Sequence, residues 1–169
     1  MKAIVVYDSV YGNTEQIALA IADALGTQAE VAHFRVNAVQ VEQLTGVELL
    51  IVGSPTQRFR PTAPISNLLK NLANKSLKGV RVAAFDTRLT TDKIEETPAL
   101  AFFVRLFGHS AYAAKPMGDM LKKKGGEQIV PPEGFFVEGI EGPLAQGELE
   151  RAANWVKQII ARTRGEGSP

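Results

Sequence analysis

The chain has 169 residues, 45% of them apolar and 22% charged, with a formal net charge of +1. That size and balance suit one compact domain with an ordinary core and exclude general disorder. No dense stripe of Lys and Arg speaks for nucleic acid, and a chain without cysteine has no disulfides, thiolate catalysis or cysteine metal sites.

Strand and helix signals alternate from end to end. "KAIVVY" (2–7) is short, apolar and β-branched, as a strand covered on both faces should be. Ile17, Ile21 and Leu25, flanked by Ala18 and Ala22, recur at helical spacing until Gly26. Asn13 is placed to cap this helix, and Gln16 three residues on suits a capping box. "EVAHFRV" (30–36) reads as a strand of mixed polarity nearer an edge. "VELLIVGSPT" (47–56) reads as a buried strand running into a loop. "APISNLLKNL" (63–72) is helical, and "GVRVAAFDTR" (79–88) is an apolar strand with a polar end. "AYAAKPMGDMLKKKGG" (111–126) reads as a helix weakened early by Pro116 and Gly118, its lysines at the favourable C-terminal end. "QIVPPEGFFVEG" (128–139) reads as a last strand that Pro131 and Pro132 interrupt or push outward. "GELERAANWVKQIIARTR" (147–164) closes the chain as an amphipathic helix.

Five strands interleaved with helices imply an α/β fold, a mostly parallel sheet with helices on both faces. The expectation is a single domain over 1–164 and a frayed tail over 165–169. The apolar N-terminal run is too short for a signal sequence or a membrane span, so no membrane span and a cytoplasmic location are expected. His33 and His109 stand without a carboxylate cluster, so no metal site is expected.

Parallel strands point one way, so the loops leaving their C-terminal ends share an edge, where ligands bind in open α/β sheets. "DSVYGNT" (8–14) looks like a phosphate cradle. Gly12 permits close approach to an anion, the next helix offers unpaired N–H groups, and Ser9, Asn13 and Thr14 add neutral donors. An ordinary capped turn is the competing reading. In "GSPTQRFRPTA" (53–63), Pro55 stiffens the loop, Thr56 and Gln57 offer hydrogen bonds, and Phe59 offers a flat surface between Arg58 and Arg60. Such a mixture suits a planar ligand. Arg58 is read either as an anion contact or as merely solvated. "DTRLTTD" (86–92) supplies Asp86, Thr87 and Arg88, with a structural Asp86–Arg88 pair as the safer reading.

With these residues in view, the chain resembles the flavodoxin-like family. The matching stretches are "YDSVYGNTEQIA", "IVGSPTQRF", "AAFDTR" and "GFFVEGIEGPLAQGELERAANWV", and the likeness covers nearly the whole chain. It implies a five-stranded parallel sheet of order 2-1-3-4-5 in a three-layer sandwich, and a non-covalent FMN. Ser9, Tyr11, Gly12, Asn13 and Thr14 would hold the phosphate. Pro55, Thr56, Gln57, Arg58 and Phe59 would border the ring, with Asp86, Thr87 and Arg88 along its other edge. The implied function is electron transfer between a reductant and a redox partner protein or small quinone-like acceptor. An NAD(P)H-dependent quinone or flavin reductase is the alternative, and a flavin-free interaction module the third reading. Two features depart from the family. The third loop has no tyrosine for the ring, leaving Leu89 as the nearest apolar residue, and the net charge is +1 where flavodoxins are acidic. Arginines near the ring would favour reduced, anionic flavin and hence a two-electron reductase.

One segment exceeds what a crossover needs: "TTDKIEETPALAFFVRLFGHS" (90–110), apolar nearly all round in its second half. Three readings stand: core packing, a lid on the site, or a homodimer contact through 98–107.

Overall fold

The computed structural model describes residues 1–44 and 46–165. Of the expected frayed tail, all but Gly165 lies outside the described residues.

Six strands form one sheet. The first four are β1 (Lys2–Tyr7), β2 (Glu30–Arg35), β3 (Leu49–Pro55) and β4 (Arg81–Leu89), in the order β2-β1-β3-β4, and all pairings are parallel. The fifth position is shared by two short strands. β5 (Glu127–Gln128) pairs with the start of β4, and β6 (Glu133–Val137) pairs with its end. Pro131 and Pro132 lie in the gap, where neither has to donate a ladder hydrogen bond. The anticipated interruption is thus a clean break, and the expected order holds across it.

Alternation along the buried strands divides the core in two. Ala3, Val5, Leu49, Ile51, Ala83 and Phe85 face one side, under the helices α1 (Asn13–Gly26) and α6 (Glu148–Thr163). Ile4, Val6, Leu50, Val52, Val82 and Ala84 face the other, under α2 (Ala63–Asn71) and α5 (Ala114–Lys123). Period-two side chains of a strand covered on both faces can do nothing else. Trp155 belongs to the first core, edge-on to Phe85 and Phe135 at centroid distances of 6.2 and 6.1 Å. β2 is the edge strand expected from its mixed polarity, and no residue along it is fully buried.

Pro116 does not weaken α5. It sits in the first turn, where the missing N–H has no intrahelical partner to lose. The lysine run does more than face a dipole. Lys122 pairs with Asp119 at 2.9 Å, while the buried Lys124 donates from Nζ to the carbonyls of Lys70 and Leu72, closing the end of α2.

The extra segment folds as two helices, α3 (Thr91–Glu95) and α4 (Pro98–Phe107), between β4 and α5. Thr90 caps the first through its hydroxyl, which accepts from the Lys93 amide. Core packing is ruled out for α4, because none of its residues is buried. Phe102 and Leu106 are 68% and 63% exposed, and the inner face points toward the C-terminal edge of the sheet.

Candidate functional site

The C-terminal ends of β1, β3, β4 and β6 open onto a cleft of about 1270 Å³. The β1 and β3 crossovers depart in opposite directions there, the usual place for a ligand in an open α/β sheet. Of the residues named from the sequence, Tyr11, Asn13, Thr14, Pro55, Thr56, Gln57, Arg58, Phe59, Thr87 and Arg88 line it. Ser9, Gly12 and Asp86 do not.

In the first loop, most polar side chains are turned onto the protein. Ser9 Oγ accepts from the amides of Gly12 at 3.1 Å and Glu15 at 3.3 Å. Ser9 therefore does the capping expected of Asn13, which lies one residue inside the helix. Asn13 Nδ2 donates instead to the Glu141 carbonyl at 3.0 Å, because the loop after β6 lies against it. Thr14 and Thr87 share a 2.8 Å hydrogen bond between hydroxyls, which uses one proton and leaves the other for a further acceptor. Ser9 Oγ and Asn13 Nδ2 thus hold protein partners, while the Ser9 hydroxyl and the Asn13 amide each keep one further hydrogen to donate. The loop also leaves backbone open: among the described residues, the amides of Tyr11, Asn13 and Thr14 have no protein acceptor. Gly12 has φ +88°, and a Cβ built on it meets nothing within 4 Å, so the loop mouth is open to an anion.

Two residues missed in the sequence hold this loop. Arg35, at the end of β2, donates from its guanidinium to the Ser9 carbonyl. Tyr7, at the end of β1, donates its phenol to Glu15 at 2.7 Å. Burial, then the bond to and charge of Glu15, push that phenol up to about 12. The only signal for either was its position at a strand end on the ligand side.

The second loop forms a two-residue hairpin. Gln57 and Arg60 exchange both backbone hydrogen bonds at 2.9 Å, with Arg58 at φ 47° and Phe59 at φ 66°. Such a turn favours Asn-Gly. Each side chain held in the left-handed region costs roughly 1–3 kcal/mol. The turn sets the Phe59 ring on Phe103 of α4, with centroids 3.7 Å apart and planes at 21°. Phe103 in turn meets Phe107 at 4.3 Å. Thr62 was also missed: it lines the cleft, and its buried hydroxyl has no partner.

In the third loop, the Asp86–Arg88 pair read as structural is present. Arg88 Nε and Nη2 reach the two Asp86 oxygens at 2.6 and 2.7 Å. Asp86 is completely buried and also accepts from the Ala114 amide at 2.8 Å. Burial pushes its carboxyl up, opposed chiefly by the Arg88 charge. Asp86, which the resemblance set along the ring's other edge with Thr87 and Arg88, does not line the cleft; it holds Arg88, which does. An aromatic residue does reach this edge, from farther along the chain. Tyr112 lies after α4, and its ring centroid is 3.8 Å from the Arg88 guanidinium carbon. Its sequence context read as the start of a helix, which hid it; α5 begins two residues later. The inner face of α4, with Leu100, Phe103, Val104 and Phe107, completes the wall, and His109 stays outside.

No Asp or Glu lines the cleft, and three arginines do: Arg58, Arg60 and Arg88. The site therefore carries positive potential around an apolar slot with neutral amide donors at one end.

The family model described as a flavodoxin domain matches residues 4–137. This chain belongs to the flavodoxin domain family. Among solved structures, a flavodoxin from the domain Archaea superposes with a TM-score of 0.72 at 20% identity, covering 97% of this chain and 99% of its own. The oxidised flavodoxin 2 of Bacillus cereus gives 0.74 at 21% identity, covering 96% and 99%. The rubredoxin oxygen:oxidoreductase of Desulfovibrio gigas gives 0.72 at 16% identity, with 99% of this chain matched to 37% of that one. At these identities the likeness speaks for the flavodoxin fold alone. No curated protein matches by sequence. Among the described residues, no helix is long and apolar enough to cross a membrane, and no group of three or more His, Asp or Glu is placed to hold a metal ion.

Proposed function

We propose that the cleft binds FMN and that the protein transfers electrons between a reductant and an acceptor, in the cytoplasm. The observation that carries this reading is the pairing of unpartnered amides in the first loop with an acid-free, aromatic-walled cleft beside them. Neutral donors at a helix start suit a single phosphate monoester. The residues present fit the cofactor. The amides of Tyr11, Asn13 and Thr14 and the spare Thr14–Thr87 hydroxyl proton would hold the phosphate. Pro55, Thr56, Gln57, Phe59 and Thr62 would border the ring, with Arg88 and Tyr112 on a further side. FMN supplies the redox chemistry, and this chain orients the ring and sets the potential around it. The exposed Phe102 and Leu106 remain available to an acceptor protein or to a second copy.

A second reading, a reductase that uses NAD(P)H to reduce a quinone-like molecule, is favoured by one observation. The cleft, at about 1270 Å³, exceeds the roughly 300–1,000 Å³ that one small ligand fills. The Phe59–Phe103–Phe107 stack lines the cleft and is a suitable platform for a flat acceptor.

Titration of the purified protein with FMN, followed by flavin fluorescence, tests the shared part. Stoichiometric quenching is expected; a protein that takes up no FMN is a flavin-free module instead. Consumption of NAD(P)H with a quinone by the reconstituted protein then separates the reductase from the carrier.

A further inference from the structure

Arg88 is held in place more firmly than a rim arginine needs to be. Asp86, fully buried behind it, fixes two of its nitrogens. Tyr112 stacks on the guanidinium. Gly134, paired with Asp86 across β4 and β6, leaves the space the guanidinium fills: a Cβ there would lie 2.2 Å from Arg88 Cζ and Nε. These four residues come from β4, β6 and the turn before α5, so three separate stretches of chain fix one cation. Among the described residues Nη1 has no protein acceptor, and Arg88 lines the cleft. The pair is also oriented. Its carboxylate end is buried and bonded to the first amide of α5, while the Arg88 side chain, 14% exposed, lines the cleft. No acid lining the cleft offsets that positive end.

We propose that the Asp86–Arg88–Tyr112–Gly134 assembly is a fixed cationic contact that binds reduced FMN more tightly than oxidised FMN. This rests on the reading of the cleft as an FMN site and deepens it. Two electrons and one proton taken from a reductant leave the flavin ring with one more negative charge than its oxidised form. A cation held beside it in a partly desolvated cleft distinguishes the two forms through that charge. Arg58 and Arg60 share the sign but sit on an exposed hairpin, where water screens them. The assembly thus places this chain toward two-electron chemistry at a raised potential; Gly134 is a positioning residue that acts through Arg88, and Tyr112, besides lining the cleft, helps hold that guanidinium.

The test uses the full chain reconstituted with FMN. Affinity for oxidised FMN is read from flavin fluorescence, and the two-electron midpoint potential from anaerobic dithionite titration against an indicator dye. In Arg88→Gln the affinity for reduced FMN falls about tenfold more than that for oxidised FMN, which lowers the midpoint by about 30 mV. Gly134→Ala keeps every charge but displaces the guanidinium, and lowers the midpoint in the same direction. Tyr112→Leu, which leaves the Asp86 pair intact, gives a smaller drop and serves if the other two variants fold poorly. Arg88→Lys recovers only part of the potential, since an ammonium cannot span both Asp86 oxygens and stack as well. Midpoints equal to wild type in Arg88→Gln and Tyr112→Leu, with FMN bound, overturn this inference alone. A wild-type protein that binds no FMN overturns the cofactor reading and this inference together.

Discussion

The two walls of the cleft are built on opposite terms. Along the strand ends, polar side chains are committed to the protein: Ser9 to two amides, Asn13 to a carbonyl, Thr14 to Thr87, Asp86 to Arg88 and Ala114. Across from them, α4 has no buried residue and spends its aromatic rings on one another and on Phe59. The first wall is over-determined, so its free donors stay where they are with or without a ligand. The second is held by a few ring contacts and can adapt to what enters. The proposed FMN site, with a phosphate to hold and an acceptor to admit, would use both.

The largest test of this contrast removes a post from the rigid wall. Asp86→Ala strips Arg88 of its partner and the first amide of α5 of its acceptor, and is expected to cost about 3–5 kcal/mol in urea unfolding. A loss no greater than that of an exposed ion pair would mean the wall is not built around it. The Tyr7–Glu15 bond gives a pH signature on the same side. Folding raises the Tyr7 phenol from 10.0 to about 12, so the folded state favours the neutral phenol. Its contribution is complete below pH 10 and is lost as pH climbs toward about 12, at about 1.4 kcal/mol per pH step of one. Urea midpoints across that range should fall more steeply in wild type than in Tyr7→Phe; parallel curves would show the phenol is not tied down. The smallest effect belongs to the adaptable wall. Leu106→Ser, on the exposed face of α4, should change stability by no more than about 0.5 kcal/mol. A large loss would show that α4 packs as rigidly as the strand ends and would erase the contrast.

Much of the fold was legible in the residues. Unbroken apolar runs at 3–6 and 49–52 announce strands covered on both faces, because only burial on two sides removes the polar alternation. The proline pair announced the break in the last strand. The site was legible to the extent that it is local: Gly12 and the loops after β1, β3 and β4 follow from where parallel strands end. Asn13 misled, because its capping propensity is a local preference, and the distant carbonyl of Glu141 outcompeted it.

The chain order of strands and helices and the edge that collects the loops were set by sequence alone, since each depends on residues close together in the chain. Only the tertiary structure decided which donors remain free, that Asp86 is an anchor and not a lining residue, and that Tyr112 reaches Arg88 from twenty-four positions away. Hydrogen bonds and ring stacking are short-ranged, and no local pattern records which distant group arrives first.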